Sequence, residues 1–394
     1  MLNIRQLLII SFLLLVISCN NENNTYIKNF PKQQTLNAIQ VPINEIIKAG
    51  NIYKSKDYII LRDIQTNAKY NFYVYSLPSF HFLYSFCPIG TGPGEYLMPT
   101  VIKNMPENRF AFRDHATDKY VSYLLTDTCA IMEEEFYLPS LDNKFFWEMN
   151  YVDTTQYLTK RSNSKSSTRE LWNIKQRLLL DTLPNTFNLT EDLGKDYYTE
   201  FDDTWITVSG NHFASAYFFI DRIEFGEIRN GKLYLTGKIG VDFPPKFYLF
   251  NRNTFGSKFK YNVDNNIVRY EDLSCTQIGI YALYSGIPWG DSEKIHSSSV
   301  EVYDWKGNPI KRLLLNNNIS SLIVDEKYKC IYGINLETNE DAILKFKIKK
   351  KQENKENTSG KNAFTCFFLL SLSMDNKTET SDGEARRNHT IPTG

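Results

Sequence analysis

The stretch NFYVYSLPSFHFLYSF, from Asn71 to Phe86, decides how the rest of the chain is read. Aromatic and aliphatic side chains crowd both sides of Leu77-Pro78-Ser79. Such residues favour half-buried pleated surfaces, and the proline and serine supply a turn. The expected element is a hairpin of two antiparallel strands.

The same rhythm returns along the chain, where apolar or alternating runs are separated by Asn, Asp, Gly and Pro. Asp57 to Leu61 precedes the first hairpin. A second unit runs through Arg109 to Arg113, Tyr120 to Leu125 and Ala130 to Leu138. A third lies between Lys144 and Leu180. The fourth comprises Trp205 to Val208, Phe213 to Ile220, Ile223 to Ile228 and, after the turn Asn230-Gly231, Lys232 to Thr236. The fifth contains Gly279 to Tyr284 and Val300 to Leu315, and the last contains Ser321 to Val324, Cys330 to Gly333 and Ala342 to Ile348. The 25 Tyr and 26 Phe suit strands, and long helix-period runs with caps are hard to find. The fold class is all-β.

Six units over residues 36–348 are about 50 residues each, the size of a four-stranded propeller blade. A single six-bladed β-propeller with antiparallel blades is therefore expected, although a pair of β-sandwiches or a large barrel shares the rhythm. A propeller must also hide its edges, so a strand near Gln40 to Ile47 should join the last blade. Removing residues 36–48 should then destabilise the domain far more than removing 352–394.

Gly90-Thr91-Gly92-Pro93-Gly94-Glu95-Tyr96, with Pro99 after it, resembles the G-x-G-P-G-E segment of TolB-like six-bladed β-propeller lipoproteins. Tyr281 to Gly286 and Val302 to Pro309, followed by Ile323-Val324-Asp325 and Ile331-Tyr332, are similar to that family too. The resemblance covers about residues 19 to 348. It implies an envelope lipoprotein carrying a propeller, without implying a catalytic activity.

Read by itself, the glycine segment is a poor phosphate cradle. Pro93 lacks an N–H, and Pro99 leaves little room for a helix after Glu95. Pro93-Gly94 suits the centre of a type II turn between blades. Gly90, Gly92, Pro93, Gly94 and Glu95 are nevertheless candidate binding-face residues, because Glu95 can present a carboxylate at a rim or cap nearby N–H groups. Trp289, in the Gly286 to Ser292 loop, is a further candidate as a stacking platform. The other tryptophans, Trp147, Trp172, Trp205 and Trp305, read as core.

The N-terminus carries an address. Arg5 precedes an uncharged apolar run from Gln6 to Ser18, too short to span a bilayer but apt for a signal peptide. Val16-Ile17-Ser18-Cys19 resembles a bacterial lipobox, which implies lipidation of Cys19 and removal of residues 1–18. Residues 19–35, opening with Asn20-Asn21-Glu22-Asn23-Asn24-Thr25, read as a flexible tether to the membrane. The expected location is the cell envelope, at the outer membrane, with the domain in the periplasm or at the cell surface.

The 45 basic residues balance the 45 acidic ones, so charge excess gives no reason to expect nucleic acid. Cys87, Cys129, Cys275, Cys330 and Cys366 form no C-x-x-C pair and read as buried free thiols. No G-x-S-x-G, H-E-x-x-H or EF-hand pattern is present. Ser162 and Lys165 have the spacing of a nucleophile pair but sit in a polar loop. His81, His115, His212 and His296 are scattered, and Asp114 with Asp118, or Asp202 with Asp203, suit turns as well as calcium. The tail, residues 349–394, reads as disordered, with a short apolar patch from Ala363 to Met374.

The expected function is thus a non-enzymatic binding or interaction module whose partner is an envelope protein, peptide or glycan, with no catalytic residue, cofactor or metal assigned. The alternative is a lactonase-like or glycan-lyase-like propeller enzyme with an axial carboxylate or metal site.

Overall fold

The computed structural model describes residues 28–46, 48–65, 67–138, 146–162, 167–185, 204–242, 266–288, 299–335 and 343–348. Strand is their regular structure, and no helix occurs among them.

The strands form six blades, each numbered here in chain order and built outward from an inner strand. Blade one is Ala49–Ser55, Tyr58–Asp63, Tyr70–Ser76 and His81–Pro88. Blade two is Pro99–Lys103, Arg109–Asp114, Lys119–Leu125 and Ala130–Tyr137. Blade three is Phe146–Tyr151, Gln156–Ser162, Ser167–Asn173 and Leu178–Pro184. Blade four is Thr204–Ser209, His212–Tyr217, Arg222–Arg229 and Lys232–Gly240. Blade five is Ile267–Cys275, Gly279–Pro288, Ser299–Asp304 and Pro309–Leu315. Blade six takes Ile319–Asp325, Cys330–Asn335 and Ile343–Lys347 from the C-terminal side. Its fourth strand is Ala38–Val41, which pairs antiparallel with Ile343–Lys347. The inner strands of blades two and three touch directly, through Met149 opposite Ile102 and Asn150 opposite Lys103.

Each blade interface is an apolar layer, which is why the strands read as half-buried in sequence. Phe72, Phe110 and Phe112 join blades one and two, with the Phe72 and Phe110 rings edge to face at 4.8 Å. Met149, Tyr157 and Trp172 meet Ile102 and Tyr120 between blades two and three. Leu158 and Leu171 pack on Ile206, Val208 and Phe213. Phe225 packs with Tyr270, Leu273 and Tyr303. Leu283 and Val302 meet Leu322 and Phe346, and Ile323 and Tyr332 meet Ile52 and Tyr75, closing the ring. Stacking aromatic and branched side chains between blades removes most of their apolar area from water.

Two buried ionic groups also stitch blades together. Between blades three and four, Glu224 forms an ion pair with Arg169 at 2.7 Å and accepts from Arg222 at 2.9 Å, with all three side chains almost completely shielded. Between blades four and five, Lys28 Nζ reaches Asp221, donates to the Tyr270 hydroxyl at 2.7 Å and contacts Glu301 at 3.0 Å.

That second cluster corrects the tether boundary. Residues 28–35 do not hang free: Phe30 packs on Tyr303, and Gln33–Leu36 runs parallel to the outer strand of blade five, Gln33 opposite Arg312 and Leu36 opposite Leu315. A charged, polar segment reads as solvated, but here Lys28 is offset by two carboxylates and the strand completes an edge. The cysteine expectation needs one amendment as well. Cys87 and Cys330 are buried free thiols and Cys275 is partly buried, but Cys129 is exposed.

Candidate functional site

The inner strands border an axial cavity of about 840 Å³. Its lining comes from all six blades and reaches the turns that follow the inner strands, at Lys56, Asn104, Val152, Gly210, Thr276 and Glu326. Apart from the direct pairing of blades two and three, the inner strands have no ladder partner on the axial side, so their N–H groups need other acceptors. Two carboxylates supply them. Glu148 of blade three accepts from the Ile206 N–H of blade four at 2.8 Å. Asp272 of blade five accepts from the Leu322 N–H and the Ser321 hydroxyl of blade six, both at 2.9 Å.

Lys103 of blade two binds both carboxylates from the axis, Glu148 at 2.7 Å and Asp272 at 3.4 Å. Burial alone would lower the pKa of this ammonium, but the two carboxylates override it and hold Lys103 well above its ordinary value. Its Nζ also lies 5.6 Å from the Trp205 ring centroid, and Lys160 Nζ lies 5.5 Å from the same ring. Trp205 is fixed by its Nε1–H to the Tyr270 carbonyl at 2.9 Å. Asn104 donates its side-chain N–H to the Asn150 side-chain carbonyl at 3.0 Å, and Cys275 donates its S–H to the Val208 carbonyl. Burial raises the Cys275 thiol to about 11, so it is not a thiolate nucleophile at neutral pH.

Glu271 lies in this wall and is the extra residue of a β-bulge, falling between the pairs Tyr270–Tyr284 and Asp272–Leu283. Burial pushes its carboxyl up to about 7. A hydrogen bond from Ser285 opposes that rise, and the Asp272 carboxylate adds to it. The unfolded chain releases this proton near 4.5, the folded chain near 7. The stability the proton provides is therefore complete below pH 4.5 and is lost as the pH rises through 7. Glu271→Gln should leave urea stability near pH 4.5 unchanged and increase it by about 2 kcal/mol at pH 8, allowing for partial exposure. An equal shift at both values would contradict this.

The glycine segment is elsewhere. The Glu95 N–H donates to the Gly92 carbonyl at 3.1 Å and Gly94 has φ +76°, the hydrogen bond and positive angle of the expected type II turn. The turn connects blade one to the start of the inner strand of blade two, the end of the channel away from the lining turns. Glu95 folds back to accept from the Gly92 N–H at 2.8 Å. Tyr96 is buried and donates to Glu135 at 2.7 Å. None of Gly90, Gly92, Pro93, Gly94 and Glu95 lines the cavity. Trp289, His296, Lys165, Asp202 and Asp203 lie outside the described residues.

The other sequence candidates have local partners. Asp114 accepts from the Met98 N–H and from the N–H and hydroxyl of Thr117. Asp118 pairs with Arg113, and His115 bonds Thr100 and Arg113. His212 stacks on Trp305. Among the described residues no three His, Cys, Asp or Glu side chains converge on one point.

The axial residues Lys103, Glu148, Glu271, Asp272 and Trp205 were missed as a group by sequence reading. A signal existed: a charged residue interrupts or ends the apolar run of the strand that opens each of several units, as in PTVIK, FWEMNY and IVRYEDLSC.

Solved structures similar to this one include two from Bacteroides species. A Bacteroides fragilis protein described as exported is 14% identical, with 81% of this chain and 99% of that one covered at a TM-score of 0.50. A member of the duf4221 family from Bacteroides vulgatus is 8% identical, with the same coverage and a TM-score of 0.54. At such identities the likeness concerns the fold alone. Among curated proteins no sequence matches significantly. The profile of the TolB-like 6-blade propeller-like family matches residues 30–327, a span that takes in all six inner strands, and the chain belongs to that family.

Proposed function

We propose that this protein is an exported lipoprotein, anchored in the cell envelope through Cys19, whose propeller is a non-enzymatic binding module with its site in the axial cavity. The observation that carries the reading is the cavity itself. Its volume of about 840 Å³ is within the range of small-ligand and peptide sites, and its central ionised residues are committed to one another. Lys103, Glu148 and Asp272 hold blades in register, which makes a rigid receptor wall and leaves them poorly placed to move protons. The apolar run before Cys19 and the likeness to a protein described as exported support the address.

A second reading, a lactonase-like or glycan-lyase-like enzyme, is favoured by one feature, the Glu271 carboxyl near 7, where a general acid or base operates best. Purified mature protein should show thermal shifts with envelope peptides or glycan fragments, and Thr207→Trp, which fills the cavity, should abolish them. In cells Cys19→Ser should end labelling by an alkynyl fatty acid. Turnover of a lactone or glycan that disappears in Glu271→Gln would replace the binding reading with the enzymatic one.

A further inference from the structure

The charges lining the cavity are unevenly distributed around the axis. Lys54, Lys56 and Arg62 of blade one and Lys103 and Arg109 of blade two face it, and neither blade contributes a carboxylate to the lining. The acids Glu148, Glu271, Asp272 and Glu326 come from blades three, five and six, where Lys160 of blade three and Lys327 of blade six are the other lining cations.

Most of those cations are committed. Lys103 holds Glu148 and Asp272, Arg109 holds Glu133 at 2.9 Å, and Lys54 lies 3.6 Å from Asp325. Arg62 is different. It sits on the second strand of blade one between Asn51 and Phe72, and no described carboxylate lies within ion-pair distance of it. Its Nε is shielded from solvent and has no acceptor among the described residues. A guanidinium is always charged, and its rigid fork of donors matches the two oxygens of a carboxylate or the face of a phosphate. Leaving such a donor buried without an acceptor is unfavourable, and a bound oxyanion removes that penalty.

Tyr53, two residues along the neighbouring strand, completes the arrangement. Burial raises its phenol to about 12 despite the opposing fields of Arg62 and Lys103, so it stays a protonated O–H donor lining the same cavity as the guanidinium.

We propose that the cavity takes its ligand by an oxyanion, a carboxylate or a phosphate, seated on the wall of blades one and two with Arg62 and Tyr53 as its donors. This deepens the binding reading above and rests on it.

The test is isothermal titration of the mature chain at low ionic strength with succinate, citrate, inorganic phosphate and pyrophosphate, using glucose and putrescine as neutral and cationic controls. At least one anion is expected to bind, with added NaCl weakening it. Arg62→Gln should raise its Kd tenfold or more, and Arg62→Lys by a smaller factor because the charge remains and the fork is lost. Carboxylates and phosphates separate at this step by which series binds. If Arg62→Gln does not fold, Tyr53→Phe and the double variant Lys54→Gln, Lys56→Gln must each weaken the anion severalfold. Unchanged anion affinity in these variants, or no anion binding at all, overturns the proposal. If peptides or glycans still bind and Thr207→Trp still blocks them, only the charge assignment fails. If nothing binds in the cavity, the binding reading fails with it.

Discussion

Removing residues 36–48 is expected to lower the melting temperature by 10 °C or more, or to prevent folding, whereas removing 352–394 should leave it within about 2 °C. The first deletion takes away Leu36, Val41, Ile43 and Ile46, all buried, which together account for about 6 kcal/mol or more of apolar burial. It also strips the fourth strand from blade six and exposes the N–H and C=O groups of Ile343–Lys347 as an open edge. Losses of that size rival the whole stability of an ordinary domain. Residues 352–394 supply none of the described strands or core residues. Differential scanning calorimetry of both truncations decides the matter, and equal melting temperatures would contradict the closure of the ring by its N-terminal strand.

Glu224→Gln should cost about 3–5 kcal/mol, the largest effect expected of a single charge change. Glu224 is fully shielded and faces two guanidiniums, Arg169 and Arg222, which are themselves 0% and 3% exposed at their side chains. A neutral amide removes the anion that the two buried cations share, although Arg222 keeps Asp242 and the Val241 carbonyl, and Arg169 keeps the Pro184 carbonyl, as partial support. Replacing all three residues with apolar ones of similar volume should recover much of the loss, because the desolvation of the ions disappears with the ions. Urea denaturation measures both variants. A triple variant as unstable as Glu224→Gln would show that shape complementarity, and not charge balance, dominates this blade interface.

The blades were legible because each hairpin announces itself locally. Asn230-Gly231 turns one strand into the next at φ 51° and 71°, and the strands on either side of Leu77 to Ser79 bury aromatic faces as their composition predicts. The closing strand was legible too, since an edge has to be covered by something, although it spans Ala38–Val41 and ends short of Ile47. What could not be read was pairing that depends on a distant partner. Gln33–Leu36 has one buried residue in four, so no periodicity marks it as a strand until the outer edge of blade five is beside it. Lys28 reads as solvated until Asp221 and Glu301 are seen to meet it.

The site was harder still. Lys103, Glu148 and Asp272 are far apart in sequence and meet because their strands radiate from one axis. The glycine-rich segment drew notice by its composition, yet its chemistry is spent on its own backbone: Glu95 satisfies Gly92, and Tyr96 ties the loop to blade two. A distinctive segment of sequence marked a demanding turn, and ordinary-looking strands held the cavity.

The pairing of Ala38–Val41 with Ile343–Lys347 also governs the order of events in folding. Gln40 and Leu344 stand opposite each other although roughly 300 residues separate them along the chain. The four antiparallel strands of each of blades one to five form from contacts within about 50 residues, whereas the ring closes in blade six on a contact spanning almost the whole domain. A chain made from its N-terminus holds this strand without its partner until nearly all of the domain exists. The last step is therefore the docking of an N-terminal strand made long before its partner. Until then the molecule carries an open sheet edge, the state in which it is most exposed to aggregation and to proteolysis.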